Sequence, residues 1–326
     1  MLDIAKKWFT KTAYYFLTLE CTSHCEYCDI WRDRKFDAMD GTTGTRAILD
    51  NIAALKKMGV GIVEFSGGEP LLRPDLPEIL RAAKAAGLEV ILTTDGTLYP
   101  ERARELKGLV DILLVSIDSP SAAEHNRIRG NDSFALALSS LRLARHDSCV
   151  PVLQFTLTRE SITLLPEMVE LAEAEGLLLR PSPVFGYFGL QGFTRESLDY
   201  IRRYKSHPRV LLDLALLKLI EQGGNRTRHP RCRAADATLT ILPTGEVVAP
   251  CLFNQERRFP ISDRITHKKE VQAAQGRREI CEGCIVWWYL APSFSRKLDG
   301  YFFLNFWSHL VNGLKIKGYK LEAKKS

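Results

Sequence analysis

The sequence contains no apolar run of the about 20 residues that a membrane-spanning helix needs. Its start, Met1-Leu-Asp-Ile-Ala-Lys-Lys, has neither the apolar stretch nor the cleavage site of a secretory signal peptide. The first two-thirds also contain no internal repeat and no low-complexity tract. These absences argue against integral membrane, secreted and repeat proteins, and we expect a cytoplasmic protein.

A broad basic surface of the kind that binds nucleic acid is also missing. The net charge of +6 is concentrated at one end: Ile285–Ser326 has seven Lys and Arg against two Asp and Glu, and the rest is nearly neutral. No nucleic-acid partner is therefore expected. The apolar content of 45% and the charged content of 26% over 326 residues are ordinary for a soluble chain of about two domains.

Cysteine, in contrast, is abundant, with eight residues. In a reducing cytosol such thiols are expected to be metal ligands and not disulfides. Cys21, Cys25 and Cys28 follow the apolar run Ala13–Glu20 with the spacing C-x3-C-x2-C. Thiolates suit iron–sulfur clusters or zinc. Because only three are local, one iron of a cubane cluster could stay open to a small molecule; a zinc site or a chance cluster of thiols is the alternative.

Four further cysteines lie near the C-terminus, namely Cys232, Cys251, Cys281 and Cys284. Two short apolar runs around Pro243-Thr244-Gly245 predict a β-hairpin that ends at Cys251. Four thiolates could fully ligate one iron–sulfur cluster or one structural zinc. Cys149 stands apart and is predicted to be an inert core thiol.

Strand-like runs alternate with amphipathic helical segments over the first two-thirds of the chain. The predicted strands are Ala13–Glu20, Gly61–Ser66, Glu89–Thr94, Ile112–Asp118, Val152–Thr158 and Leu177–Val184. The predicted helices include Thr43–Met58, Pro74–Ala86, Asp132–Asp147 and Leu164–Glu175. This alternation predicts an α/β fold in which a parallel sheet curls into an incomplete barrel with its ligand site at the carboxyl ends of the strands.

Polar motifs follow these strand ends. Ser66-Gly67-Gly68-Glu69-Pro70 follows the second strand, and two glycines there allow close backbone approach to a ligand. Thr93-Thr94-Asp95-Gly96 follows the third and predicts a turn. Ser116-Ile117-Asp118 ends the fourth with a hydroxyl and a carboxylate on one face, which is also what a solvated strand end looks like.

The cysteine spacing together with Gly-Gly-Glu-Pro one strand later resembles the radical S-adenosylmethionine (SAM) enzymes. The resemblance implies a partial (β/α)6 TIM-like barrel and a catalytic, oxygen-sensitive [4Fe-4S] cluster held by Cys21, Cys25 and Cys28. It also implies that SAM chelates the open iron. Reductive cleavage of SAM would give methionine and a 5'-deoxyadenosyl radical, which takes a hydrogen atom from substrate.

The same resemblance implies roles in SAM binding for several residues. Gly67, Gly68 and Glu69 match the element that meets the methionyl amino group, and Ser116 and Asp118 match the strand end that meets the ribose. Arg129, with Arg127 as second choice, matches an arginine near the SAM carboxylate. Tyr27 matches a position near the adenine, and His24 is expected to shape the loop without binding iron. No residue is predicted to be catalytic beyond the cluster ligands.

The C-terminal cysteines resemble the SPASM/Twitch extensions of radical SAM enzymes. This implies one auxiliary [4Fe-4S] cluster bound by Cys232, Cys251, Cys281 and Cys284, with zinc as the alternative metal. The chain departs from the commonest pattern in having five residues between Gly245 and Cys251 where four are usual. It also lacks the cysteines for a second auxiliary cluster.

These assignments divide the chain into an N-terminal segment (1–12), a barrel (13–225), a cysteine-rich domain (226–290) and an aromatic, basic tail (291–326). Because only a dozen residues precede the first strand, neither a cobalamin domain nor a leader-peptide-recognition domain is expected there. The tail combines aromatic rings with lysines, as does the Met1–Phe16 stretch. Two explanations stay open for the tail: a helix packed on the barrel, or peripheral contact with the inner face of the membrane.

The predicted function is that of a radical SAM enzyme that abstracts hydrogen from an unidentified substrate: a lipid or isoprenoid, a sugar, a tetrapyrrole or a peptide. Its partners would be SAM and a reductant such as flavodoxin or ferredoxin. The rival hypothesis is a non-catalytic iron–sulfur or zinc protein that acts as a cluster carrier or redox sensor.

Overall fold

The computed structural model describes residues 10–32, 41, 43–147, 149–184, 193–262, 264–273 and 281–323. Within these residues one sheet has the strand order β6-β5-β4-β3-β2-β1-β7-β8-β9. Its strands are β1 (Lys11–Phe16), β2 (Val60–Ser66), β3 (Glu89–Thr94), β4 (Ile112–Ser116), β5 (Val150–Leu157), β6 (Leu178–Pro183), β7 (Thr238–Ile241), β8 (Glu246–Cys251) and β9 (Asn254–Pro260).

The helices of the barrel lie between its strands and follow the last of them. They are α1 (Thr45–Lys57), α2 (Leu76–Ala85), α3 (Tyr99–Leu106), α4 (Ala122–Arg129), α5 (Phe134–Arg145), α6 (Leu165–Ala174), α7 (Arg195–Arg202) and α8 (Leu214–Glu221). Three more follow the β7–β9 strands: α9 (Arg264–Ala273), α10 (Trp287–Ser293) and α11 (Gly300–Ala323). No described helix is long and apolar enough to cross a membrane.

Strands β1 to β6 pair in parallel with their neighbours, and the helices of each unit cover the outside. On α1, Ile48, Ile52 and Leu55 recur at helical spacing and are buried in one core with Val63 and Phe65 of β2. Glu64, which lies between Val63 and Phe65, is on the opposite face of the sheet because successive side chains of a strand alternate. The prediction of an α/β fold with an open, partial barrel is confirmed.

The first strand is shorter than predicted, since it ends at Phe16 and not at Glu20. The reason is that the chain leaves the sheet to meet the turn after β2. The carbonyl oxygens of Thr18 and Glu20 accept hydrogen bonds from the backbone N–H groups of Gly68 and Glu69, at 2.8 and 2.7 Å. Residues 17–20, which were predicted to be the end of the strand, therefore form the start of the loop that carries Cys21, Cys25 and Cys28.

The C-terminal extension joins the barrel sheet, which the sequence pattern did not predict. Strand β7 pairs in parallel with β1, with Thr12 opposite Thr238. The predicted hairpin around Pro243-Thr244-Gly245 is confirmed, because β7 and β8 are antiparallel and meet there. Strand β9 then pairs antiparallel with β8. This arrangement places Cys251, the last residue of β8, at the barrel mouth, where Leu252 lines the same cavity as Cys28.

Candidate functional site

The cysteine loop is the segment from Leu17 to Cys28, which follows β1. Two glycines after β2 fix its start. A Cβ atom on Gly68 would lie 2.0 Å from the carbonyl oxygen of Glu20, and one on Gly67 would lie 2.2 Å from that of Thr18. Gly67 also has φ of +134°, which side chains disfavour. Glycine is therefore required at both positions so that this turn can touch the loop.

Asp95, expected only to form a turn, binds the middle of the cysteine loop. Its Oδ2 accepts hydrogen bonds from the hydroxyls of Thr22 and Ser23, the latter at 2.6 Å. Its Oδ1 accepts from the backbone N–H of Thr97 at 2.9 Å. Burial would raise the pKa of Asp95, but these donors outweigh it and lower that pKa. The ionised carboxylate thus ties the loop to the end of β3.

The three loop thiols lie within electrostatic reach of one another. Cys25 is buried, and Cys21 and Cys28 are partly buried. Burial is the main cause that raises the pKa of each thiol, to about 12 for Cys21, and Cys25 raises the pKa of both others further. The loop carries three partly or fully buried thiols, which is the number that the protein would contribute to a cubane cluster with one open iron.

A buried ion pair lies directly beside the cysteine loop. The Nε of Arg129 donates to Asp118 Oδ2 at 2.6 Å, and Nη1 of the same guanidinium lies 3.5 Å from the Sγ of Cys25. The hydroxyl of Tyr27 donates to the same carboxylate oxygen, and the backbone N–H of Thr156 donates to Oδ1 at 3.2 Å. Asp118 is 1% exposed, so its oxygens are committed to protein donors.

The predicted SAM-binding residues therefore converge on one region but differ in what they touch. Arg129 lies at the cysteine loop, whereas Arg127 is exposed and pairs with Glu124 and Glu26. Ser116 ends β4 and is half-buried. The assignment of each of these residues to SAM binding stays a prediction.

Glu69 is buried beneath the turn, with 1% of its surface exposed. Its Oε1 accepts from the backbone N–H of Leu71 at 2.9 Å and its Oε2 from that of Asp95 at 2.9 Å. The hydroxyl of Thr94 also contacts both oxygens. Burial, followed by the charge of Asp95, raises the pKa of Glu69 to about 8. In this structure Glu69 joins the ends of β2 and β3.

The four C-terminal cysteines also come together. Burial raises the pKa of Cys232, and the charges of Cys284, Cys251 and Cys281 raise it further. Three of the four cysteines, Cys232, Cys251 and Cys284, pack against one apolar cluster. Among the described residues no group of three or more His, Cys, Asp or Glu is arranged to hold a single metal ion. The four thiols are partly buried, and four thiolates are the number that one fully ligated iron–sulfur cluster takes.

Asn225 links three of these cysteines and was not identified from the sequence. It is 2% exposed, and its Oδ1 accepts from the backbone N–H of Cys232 at 3.3 Å. Its Nδ2 donates to the carbonyl of Cys281 at 3.2 Å, and its backbone N–H donates to that of Cys284 at 2.8 Å. The only sequence signal was its place in Gly223-Gly224-Asn225, which resembles an ordinary turn.

A cavity of about 240 Å³ lies between the two groups of cysteines. The cysteine loop contributes Tyr27 and Cys28, and the C-terminal extension contributes Leu252, Phe253, Trp287 and Trp288. The strands contribute Tyr14, Phe16, Glu64, Ser66, Thr93, Leu114, Gln154, Thr156 and Ser182. Its walls are thus aromatic and aliphatic, with a few polar groups from the strands.

Glu64 is a buried acidic residue of that wall that was not identified from the sequence. It is 4% exposed and accepts a hydrogen bond from the hydroxyl of Thr93 at 2.7 Å. Burial raises its pKa, which the nearby Arg180 partly opposes. The carbonyl oxygen of the Gln154 side chain is buried without a hydrogen-bond partner. A glutamate inside the apolar strand Val60–Ser66 was the signal that could have revealed it.

Comparison with known proteins relates this arrangement to one superfamily. Residues 15–172 match the radical SAM superfamily. The chain is 36% identical over 166 residues to the PqqA peptide cyclase of Gluconobacter oxydans, an alignment that covers 49% of this chain and 45% of that protein. It is 29% identical over 251 residues to a probable GTP 3',8-cyclase of Saccharolobus solfataricus, with 72% of each covered.

Among solved structures, the fold is similar to the crystal structure of Streptococcus suis SuiB bound to S-adenosylmethionine. The TM-score is 0.63 at 14% sequence identity, over 86% of this chain and 69% of SuiB. The chain spans less than half the length of several curated relatives that it matches.

Proposed function

We propose that the protein is a radical SAM enzyme, because residues 15–172 match the radical SAM superfamily. It would cleave SAM reductively and use the resulting radical on a substrate held in the central cavity. One observation carries the proposal: Cys28 of the cysteine loop lines that cavity together with residues of the C-terminal extension. The protein's cluster ligands and its enclosed apolar space are therefore continuous.

Cys21, Cys25 and Cys28 would hold a [4Fe-4S] cluster, and Gly67, Gly68, Glu69, Ser116, Asp118, Arg129 and Tyr27 would form the surroundings of SAM. When bound, this pair supplies a one-electron reduction of the sulfonium and a 5'-deoxyadenosyl radical. The protein's part is to hold position and exclude water. Gly67 and Gly68 fix the loop, and Asp95 fixes its middle. Arg129 places a fixed positive charge 3.5 Å from Cys25.

We propose that Cys232, Cys251, Cys281 and Cys284 hold one auxiliary [4Fe-4S] cluster. Full ligation by protein would leave no iron for substrate, which favours electron transfer or a structural role. Asn225 is the positioning residue of this site, since it bonds to the backbone of three of the four cysteines. We also propose that the C-terminal extension begins after residue 225, as the sequence predicts.

The substrate proposal follows from the walls of the cavity. Phe16, Leu114, Phe253 and Trp288 offer apolar surface, and Glu64 offers a buried hydrogen-bond acceptor among them. Glu64 already accepts a hydrogen bond from Thr93, but the buried side-chain oxygen of Gln154 in the same wall has no partner, and a donor group on the substrate would satisfy it. We therefore propose a largely apolar or aromatic substrate that carries an amine or hydroxyl. Lipid, tetrapyrrole and peptide side chain all satisfy this description.

The remaining partners are proposals of the same kind. A flavodoxin or ferredoxin would supply the electron, and the protein would lie in the cytoplasm with peripheral contact to the inner face of the membrane. The rival function, a cluster carrier or sensor, explains the seven thiols but leaves the enclosed cavity without a purpose.

The test is anaerobic reconstitution of the full chain with iron and sulfide, followed by reduction with dithionite in the presence of SAM. We expect two clusters per chain and release of 5'-deoxyadenosine. Cys25→Ala should abolish the release, whereas Cys149→Ala, a buried thiol outside both groups, should retain it. A loaded protein that yields no 5'-deoxyadenosine with several reductants would instead support a carrier or sensor.

A further inference from the structure

One face of the C-terminal helix α11 packs on the barrel. Tyr301, Ser308 and Tyr319 are buried, and the hydroxyl oxygen of Ser308 accepts a hydrogen bond from the backbone N–H of Leu214 at 3.0 Å. The side chain of Asn312 donates to the carbonyl of Leu212 at 2.9 Å. The packing explanation for the tail is therefore correct for this face, and polar contacts fix its orientation.

The opposite face is apolar and exposed. Phe303, Trp307, Leu314 and Leu321 are 61%, 58%, 57% and 54% exposed. Their spacing of four, seven and seven residues places them on one line, because 18 residues make five turns of an α-helix. We call these four residues the outer stripe. A helix that packs on its own protein normally shows the reverse pattern, with apolar residues inward.

A further exposed apolar residue lies just before the helix. Leu298, just before α11, is 73% exposed and is the most exposed of the large apolar side chains reported for the described residues. Together with the outer stripe it leaves exposed apolar side chains from residue 298 to residue 321. Contiguous exposed apolar surface of this kind marks a contact with a partner or a membrane.

The charges beside the stripe distinguish those two partners. Lys317 and Lys320 are exposed on α11, and Ile285–Ser326 as a whole has a net charge of +5. Lys317 follows Phe303 by 14 residues and so lies close to the line of the stripe. A second copy docked through the same face would bring these lysines together, whereas an anionic lipid surface would neutralise them.

We infer that the outer stripe and its lysines form a docking surface for anionic phospholipid, with α11 lying in the plane of the interface. The inference makes specific the peripheral membrane contact proposed above and is independent of the cluster chemistry. Trp and Phe in such a helix enter the boundary between headgroups and acyl chains, and lysines bind the phosphates. A substrate of lipid character would then reach the protein from the surface on which it rests.

The test is flotation of the full chain with vesicles of phosphatidylcholine, either alone or mixed with phosphatidylserine. We expect binding to the mixed vesicles that weakens with added salt. The double variant Phe303→Ser and Trp307→Ser should bind at least tenfold more weakly, since both side chains lose their burial in lipid. Lys317→Gln with Lys320→Gln should weaken binding about 25-fold, at about fivefold per charge.

Two control pairs repeat the same chemical changes elsewhere. Leu136→Ser with Leu143→Ser removes two apolar side chains of helix α5 that are 42% and 40% exposed. Arg81→Gln with Arg104→Gln removes two exposed cations from α2 and α3. Both controls should float like the unaltered protein. Equal flotation of stripe and control variants, or recovery of the unaltered protein in the unbound fraction, would overturn the inference.

A second measurement separates this inference from the proposed enzyme activity. The stripe variants should release 5'-deoxyadenosine at the unaltered rate in vesicle-free buffer, because the helix face touches neither cysteine group. Loss of flotation with unchanged release of 5'-deoxyadenosine would support the membrane inference without bearing on the proposed enzyme activity. Light scattering that shows a dimer broken by the stripe variants, without vesicle binding, would instead assign the face to a second copy.

Discussion

Replacement of Gly68 by alanine tests how the turn after β2 holds the cysteine loop. A Cβ atom at this position would lie 2.0 Å from the carbonyl oxygen of Glu20, 2.5 Å from its carbonyl carbon and 2.7 Å from the carbonyl oxygen of Leu19. All three atoms belong to the backbone, so no side chain can rotate away. Real Cβ contacts start near 3.0 Å, and the two segments must therefore separate by about 1 Å.

That separation has a predictable cost. It lengthens the hydrogen bond from the backbone N–H of Glu69 to Glu20, now 2.7 Å, and the bond from Gly68 to Thr18, now 2.8 Å. Each is worth about 1 kcal/mol, and a buried N–H left without a partner adds about 1–3 kcal/mol. We expect a loss of about 2–4 kcal/mol in the free energy of unfolding. At about 2 °C per kcal/mol this lowers the melting temperature by about 4–8 °C.

The assay is thermal unfolding of the metal-free protein under anaerobic conditions, together with iron counting after reconstitution. Gly44→Ala is the matched control: its φ of −62° suits alanine, and a Cβ atom there would meet nothing within 4 Å. The control should lose less than about 1 kcal/mol, as expected for a helix N-cap. If Gly68→Ala melts with the control and binds as much iron, the proposed contact between turn and loop does not hold the site together.

Three further outcomes follow from the described contacts. The pKa of Glu69 is about 8 when folded against 4.5 in its ordinary state, so its contribution to stability is complete below pH 4.5 and is lost as the pH rises to about 8. Glu69→Gln should therefore show a flatter dependence of melting temperature on pH over that range. Arg129→Met should cost about 3–5 kcal/mol by leaving Asp118 buried and unpaired, and adding Asp118→Asn should recover part of this in thermal unfolding. Asn225→Ala should lower the iron bound per chain, whereas Cys149→Ala should leave it unchanged in the same iron assay.

Some expected features lie outside the described residues. Lys6, Lys7, Trp8 and Phe9 of the basic, aromatic N-terminal stretch are among them, and so are Lys324 and Lys325 of the tail. The roles of the seven cysteines as cluster ligands and of the predicted SAM contacts stay predictions. The packing of Cys232, Cys251 and Cys284 against one apolar cluster agrees with the prediction for the C-terminal site.

Local patterns in the sequence were enough to predict the partial barrel. Residue periodicity predicted β3 at its observed bounds and α1 to within two residues, because alternation and helical spacing are properties of consecutive residues. The cysteine spacing and Gly67-Gly68-Glu69 likewise predicted the superfamily that residues 15–172 match, since each is a short contiguous pattern. The hairpin before Cys251 was predictable for the same reason.

Only the tertiary structure decided which groups meet across long stretches of chain. The carboxylate of Asp118 forms an ion pair with Arg129 and a hydrogen bond with Tyr27. Strand β7 pairs with β1 although more than 200 residues separate them in the chain. Which face of α11 points outward also depends on what its other face finds to pack against. Such choices depend on the whole packed core, because burial and hydrogen bonding are satisfied jointly by segments that the sequence keeps apart.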